Sequence, residues 1–398
     1  MANSLTLDQA RALWWHKQGL AGTTKGSVAS VVGSTGWLRT LGGTDAYLAA
    51  RARKPKMKRA DLDAALTSGA LRVVPAARGC IYVVPDRVVA DLMALNVTPW
   101  RTTTEKDLAK AKSSMAVVDK VAKAVLAALT KPMTTDALRK AMPAGSIPSF
   151  GDAGKKAGIS SPLPLALRLL EFTGKVERTL ERLDSEKYLW RKAAWKVPAA
   201  SANPLASVID AFLEFSGPAT LAQIVEWSGR AQRDLKPVLE ELGAVTIEVA
   251  GMGLAFGKPG DLKARPAPSG ISLVGFEDNY VNNHGLGLVA DPKLHAVEVD
   301  IWGSGKPEAV GTARHVLSRT IIRDGLVIGF WEVDPGAKGG VWSTFDKPPK
   351  ALAKQLDETV ADAAAFLLDD VGNAITYSLD TMEMVQERAK RVAKLQRK

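Results

Sequence analysis

The densest run of chemistry-bearing side chains in this sequence is Phe276-Glu277-Asp278-Asn279-Tyr280-Val281-Asn282-Asn283-His284. A carboxylate near an imidazole can take a proton from water, so Glu277 is a candidate general base. The same string also reads as a turn, because Asp and Asn satisfy nearby backbone groups, and that reading is preferred. A second run is cationic: Arg51, Arg53, Lys54, Lys56, Lys58 and Arg59 place six Lys/Arg in nine residues without an acid. Charge runs are commonly solvated loops, but this one precedes a helix and a hairpin, a setting that suits phosphate contact. Metal chemistry finds no support: His16, His284, His295 and His315 share no ligand spacing, and Cys80 is the lone cysteine. Neither a P-loop nor a dinucleotide-binding glycine motif is present, so no cofactor is expected.

The charge balance points the same way. Lys and Arg number 53 against 42 Asp and Glu, leaving the 398-residue chain at +11. An excess of that size favours nucleic acid or an anionic surface as partner. No apolar stretch reaches the ~18 residues that a membrane span needs. The opening residues lack a secretory signal pattern, and a single cysteine fits a reducing compartment. The expected partner is double-stranded DNA, and the expected setting is the cytoplasm, in association with the nucleoid.

The basic run leads into an amphipathic helix, Arg59 to Thr67, with Leu62, Ala65 and Leu66 on one face. Two β-type runs follow, ALRVVP and GCIYVVP, so a helix precedes a two-stranded hairpin with cations just before it. A winged helix presents itself to DNA in this way. The order recurs twice more, which predicts an α+β fold of tandem winged-helix units, residues 1–113, 114–196 and 197–262. In the first unit a short helix after the hairpin, Asp86 to Ala94, gives way to a polar linker, Thr102 to Lys112. The second unit's hairpin pairs Gly174–Thr179 with Lys187–Trp190. Beyond a linker the pattern turns to strands, predicting a β-rich, barrel-like domain over 263–345 and C-terminal helices over 346–398. Ile271–Val274, Ala296–Trp302 and Ala309–Ala313 read as strands, and Asp324-Gly325 is a type I′ turn between RTIIR and LVIGFWEV. The tail carries Arg388, Lys390, Arg391, Lys394, Arg397 and Lys398.

Arg78-Gly79-Cys80-Ile81-Tyr82-Val83-Val84-Pro85 resembles the Arg-Gly-Thr-hydrophobic-His-hydrophobic-hydrophobic-Pro hairpin of the bacterial winged-helix DNA glycosylases of the AlkZ and YcaQ type. That family carries a Gln-x-Gln or Gln-x-Asp element upstream, before an Ala-rich helix ending in Arg-x-Arg. Gly36-Trp37-Leu38-Arg39-Thr40-Leu41, followed by Ala46 to Arg53, occupies the matching place, with Arg39 and Leu41 where the family has amides. Tyr82 replaces the hairpin His. Gly329-Phe330-Trp331 is similar to the family's C-terminal Gly-x-Trp.

The resemblance implies damage recognition or DNA repair, with the altered residues standing where the family holds the attacking water. A guanidinium ~4 Å from a cationic sugar opposes it by about 4 kcal/mol at an effective dielectric near 20. Leu41 cannot orient water. The expectation is therefore a monomeric duplex-binding protein that contacts phosphates through Arg39, Arg78 and the basic run and does not release alkylated bases. One alternative is a glycosylase of variant mechanism with Asp45 or Glu277 as base, although Asp45 also suits a helix cap. The other is a transcriptional regulator, which would need a dimer to read a palindrome, whereas three concatenated winged helices need none.

Overall fold

Thr6 starts the first helix, Leu7–Lys17, through a capping box with Gln9. From there the computed structural model describes residues 3–22, 24–179, 189–300, 305–313, 316 and 318–395. The helices Val28–Thr35, Asp45–Arg53 and Arg59–Thr67 lead to a hairpin of Leu71–Pro75 with Ile81–Pro85. The short strand Leu38–Arg39 joins that hairpin, setting Leu38 opposite Val83 and Arg39 opposite Tyr82. At the turn Arg78 and Gly79 have φ of 55° and 72°.

After the hairpin one helix runs from Val89 to Lys110. The expected short helix and polar linker are thus a single element. Thr104 and Leu108 of the supposed linker are buried, so tertiary packing overrides the segment's polar composition. Pro99 lies within this helix. Its missing N–H leaves the Leu95 carbonyl without its usual partner, and Arg230 donates to that carbonyl at 2.7 Å instead.

The second group contains Met115–Ala128, Thr135–Ala141, Gly151–Lys156 and Leu163–Phe172, then strands Val176–Thr179 and Leu189–Lys192. Lys187 and Tyr188 lie outside the described residues. The third contains helices Pro204–Ser216, Leu221–Ser228 and Gln232–Glu241 and the hairpin Val245–Val249 with Gly253–Gly257. Strand Ser4–Leu5 adds to that hairpin in parallel, from the opposite end of the chain.

The C-terminal block is an open antiparallel sheet, not a barrel. Its order is Ile271–Val274, Arg319–Arg323, Leu326–Asp334, Gly339–Thr344, and among the described residues it does not close. Helices Lys350–Ala365 and Met382–Leu395 cover it, so burial of its apolar face needs no closure. The Asp324-Gly325 turn has φ of 51° and 79°, both left-handed, as a type I′ turn requires. Among the described residues of the runs 296–302 and 309–313, pairing is confined to Glu298–Val299 with Ala309 and the preceding Glu308; Ile301, Trp302 and His315 lie outside the described residues.

Among the described residues, all four cores cross the expected unit boundaries. One joins Tyr47, Leu48 and Val83 to Ile321, Trp331 and Leu356. A second joins Trp14 and Trp15 to Ile247 and Tyr280. The third joins Trp37, Tyr82 and Val84 to Phe212, Phe215 and Trp227. The fourth joins Leu108, from the first expected unit, to Val118, Leu167 and Trp190 of the second. The first hairpin, the third group and the C-terminal sheet therefore meet at one junction, and the polar site lies there.

Candidate functional site: a water-sized recess between Arg39 and Glu277

Helix Asp45–Arg53 holds the turn at 276–278 from both sides. At one end Asp45 Oδ2 accepts the Phe276 amide N–H at 2.8 Å, and Oδ1 accepts two N–H groups of Arg319 at 3.0 and 2.8 Å. At the other end Arg53 is bidentate to Asp278, at 2.8 and 2.9 Å. The same Nη1 and Nη2 also donate to the Ala49 carbonyl and Gln18 Oε1, each at 3.0 Å. Asp278 also caps the short helix Asn279–Asn282 through the Tyr280 N–H at 3.0 Å.

With both neighbours tied, Glu277 adopts φ of 54°, a left-handed conformation. For a residue with a Cβ that costs about 1 kcal/mol or more, and such strain tends to gather at functional sites. Its carboxylate faces Arg39 and forms an ion pair with Nη1. Gly36 lets the two segments meet: a Cβ there would lie 2.7 Å from Asn279 Nδ2, which donates to the Trp37 carbonyl at 2.8 Å.

Beside this pair lies a recess of about 30 Å³, lined also by Arg78, Tyr82, Gln223, Glu226 and Asn282. A water needs roughly 10–15 Å³ of such space and several polar partners. Arg39 Nε and Asn282 Oδ1 are both buried without a protein partner. Burial pushes the Tyr82 hydroxyl up to about 12, so it stays protonated. The recess thus combines two carboxylates, Glu277 and Glu226, two cations, Arg39 and Arg78, and neutral polar groups around a space one or two waters wide.

The other candidate residues divide between structural and exposed roles. Asp45 is buried, which pushes its carboxyl upward despite Arg319 beside it, but both oxygens are engaged and it does not line the recess. It positions Phe276 rather than water, and Thr44, not Asp45, precedes the helix as its cap residue. Arg53 is corrected outright: it is 0% exposed and cannot reach a phosphate. Arg51 pairs with Asp362 at 2.7 Å and lies over the Phe366 ring, and Arg59 pairs with Asp63 at 3.0 Å. Lys56 and Lys58 are exposed, and half-buried Lys54 donates to the Gly26 carbonyl at 2.9 Å. The forked guanidinium suits packed ion pairs and the compact, hydrated ammonium suits solvent, so the run divides by residue type.

Arg78 is exposed at the hairpin tip and borders the recess. His284 takes no part: it stacks on Trp14 at 3.8 Å, and burial lowers its pKa to about 3. Trp37 is core, against Phe215 and Trp227. In the tail Arg388 is held by Glu332 and Asp380, while Arg391 and Lys394 are exposed. Arg397 and Lys398 lie outside the described residues. Asn282 belongs to the polar run 276–284, whereas Gln223 and Glu226 carry no site signal in the sequence; the capping-box spacing Thr220-x-x-Gln223 marks a helix start, not a site.

Fold and site together define an α+β protein of repeated helix–hairpin groups with a polar, water-sized recess at their junction. The description "DNA glycosylase AlkZ-like" matches residues 40–366, and the chain belongs to that family. Among solved structures it is similar to the DNA glycosylase AlkZ of Streptomyces sahachiroi, with 20% identity and a TM-score of 0.68. That alignment covers 93% of this chain and 98% of the other. No curated protein matches the chain.

Proposed function

We propose that this chain is a DNA-repair glycosylase that binds duplex DNA and releases an N-alkylated base, with Glu277 activating the attacking water. The observation that carries the reading is the recess. A strained carboxylate, fixed on both sides, borders a space of water size, next to the position where the resemblance places the family's water-holding amides.

The electrostatic objection raised by Arg39 loses its force in this arrangement. A bare guanidinium would oppose a cationic sugar, but an Arg39–Glu277 pair carries no net charge and leaves its carboxylate to favour the cation. In the reaction the N-glycosidic bond breaks and the departing base keeps the electron pair, which neutralises its ring. The water oxygen bonds to the sugar carbon and its proton passes to Glu277. Arg39 orients Glu277, and protonated Tyr82 contributes a donor.

Family membership and the AlkZ-like fold support a DNA substrate. In this reading the three hairpins act as winged-helix wings. Exposed Arg78, Lys56 and Lys58 contact phosphates, and the protein works as a monomer in the cytoplasm, at the nucleoid.

The test is single-turnover release of N7-methylguanine from duplex DNA. Glu277→Gln should slow release by about 100-fold or more while DNA binding is kept. Release by Glu277→Gln at the wild-type rate would remove Glu277 from the mechanism. Background release by the wild type, with binding intact, would leave a DNA-binding protein without this activity.

A further inference from the structure

At the hairpin tip, where Arg78 and Gly79 line it, lies a second and larger cavity of about 650 Å³. It sits among three elements: the long helix Val89–Lys110, the helix Leu163–Phe172, and the end of the helix Leu221–Ser228. Three arginines line it, Arg78, Arg168 and Arg230, and no acidic side chain does among the described residues. Arg168 is paired with Glu171 at 3.3 Å. Arg230 is half-buried and anchored by the Leu95 carbonyl that Pro99 leaves open, and burial lowers its pKa. Arg78 projects from a left-handed turn residue and is exposed. The cavity also has a flat apolar wall: Trp100 is half-buried there, with its ring 5.5 Å from that of Phe172.

Two arginines outside any ion pair among the described residues, Arg78 and Arg230, beside an accessible aromatic face suit one ligand chemistry, a phosphate joined to a planar base. The guanidinium forks match phosphate oxygens, and an indole face accepts any base by stacking. A paired base keeps both faces inside the duplex, so a base on Trp100 must have left the stack. We propose that this cavity seats one unpaired nucleotide of a distorted duplex, its base on Trp100 and its phosphate between Arg78 and Arg230. Arg78 borders both cavities, so the seated nucleotide lies next to the Arg39–Glu277 recess. The protein would thereby read distortion in addition to alkylation. This rests on the DNA-binding part of the function proposed above but not on its chemistry.

The experiment uses undamaged DNA, so no excision is needed for it to report. The wild-type chain is titrated with a duplex carrying one bulged 2-aminopurine and with the same duplex fully paired. The bulged duplex should bind about tenfold more tightly, and stacking should quench the 2-aminopurine fluorescence. Trp100→Ala should lose both the preference and the quench while keeping its affinity for the paired duplex. Trp100→Phe should retain most of both. Arg230→Ala should weaken the bulged complex and lower its salt dependence. Equal affinity of the wild type for the two duplexes, or a preference that survives Trp100→Ala, would overturn the proposal. Loss of excision in Glu277→Gln with the bulge preference intact would separate the two sites, and a protein that excises but shows no preference would reject only this one.

Discussion

Replacing Arg53 by Met distinguishes a structural clamp from a phosphate contact. Arg53 makes four hydrogen bonds, two of them to Asp278, and neither side chain exceeds 1% exposure. Met keeps most of the volume but leaves a buried carboxylate without its cation, a change that costs about 3–5 kcal/mol. With a urea m-value of about 3 kcal/mol/M, the midpoint of the transition that includes this helix should fall by roughly 1 M or more. Changing both partners, Arg53→Met with Asp278→Leu, removes the stranded charge and should recover part of the loss, although the cap on Asn279–Asn282 is also removed. Excision should fall in the single variant even where the protein is folded, because Glu277 then has only one tethered neighbour. The assays are urea unfolding and single-turnover release. A variant with unchanged stability, and a DNA-binding salt slope reduced by about one, would refute the clamp and restore Arg53 as a phosphate ligand.

The exposed lysines should behave oppositely: Lys56→Ala and Lys58→Ala should each lower the salt slope of duplex binding by about one and leave the urea midpoint unchanged. An unaltered slope in the double variant would take both out of the interface. Acid should destabilise the fold through His284. Burial lowers its pKa from 6.5 to about 3, so between those values the unfolded chain binds a proton that the folded chain does not. The stability from this site is complete above pH 6.5 and is lost as the pH falls toward 3, by up to about 1.4 kcal/mol per pH unit. His284→Phe should flatten that part of the urea-midpoint profile, and a profile as steep as the wild type's would count against it.

Much of the element order was legible in the sequence, because apolar spacing and capping signals are local. Arg59–Thr67, the hairpin strands around Arg78 and the Asp324-Gly325 turn all follow from short-range patterns. So did the resemblance of the hairpin motif to a family that the comparison then matched over residues 40–366. Where local polarity and tertiary burial disagree, sequence reading fails. The segment 102–112 looks like a linker, yet Leu108 is 0% exposed within a long helix. The C-terminal strands read as barrel-like, yet two helices cover the sheet and it stays open.

The site was decided at longer range. Residue types alone placed carboxylates at 45 and 277 and cations at 39 and 53, and on charge the members of each pair look equivalent. Folding gives them different environments. Arg53 and Asp45 are turned into the core, where the cost of burying a charge forces them onto Asp278 and Arg319. Arg39 and Glu277, which are separated by most of the chain, meet at the rim of a recess with space for water. The sequence determined which charges exist and which helices and hairpins carry them. Only the tertiary structure decided which of those charges are shielded from solvent and which remain free for chemistry, because desolvation depends on neighbours that no local pattern encodes.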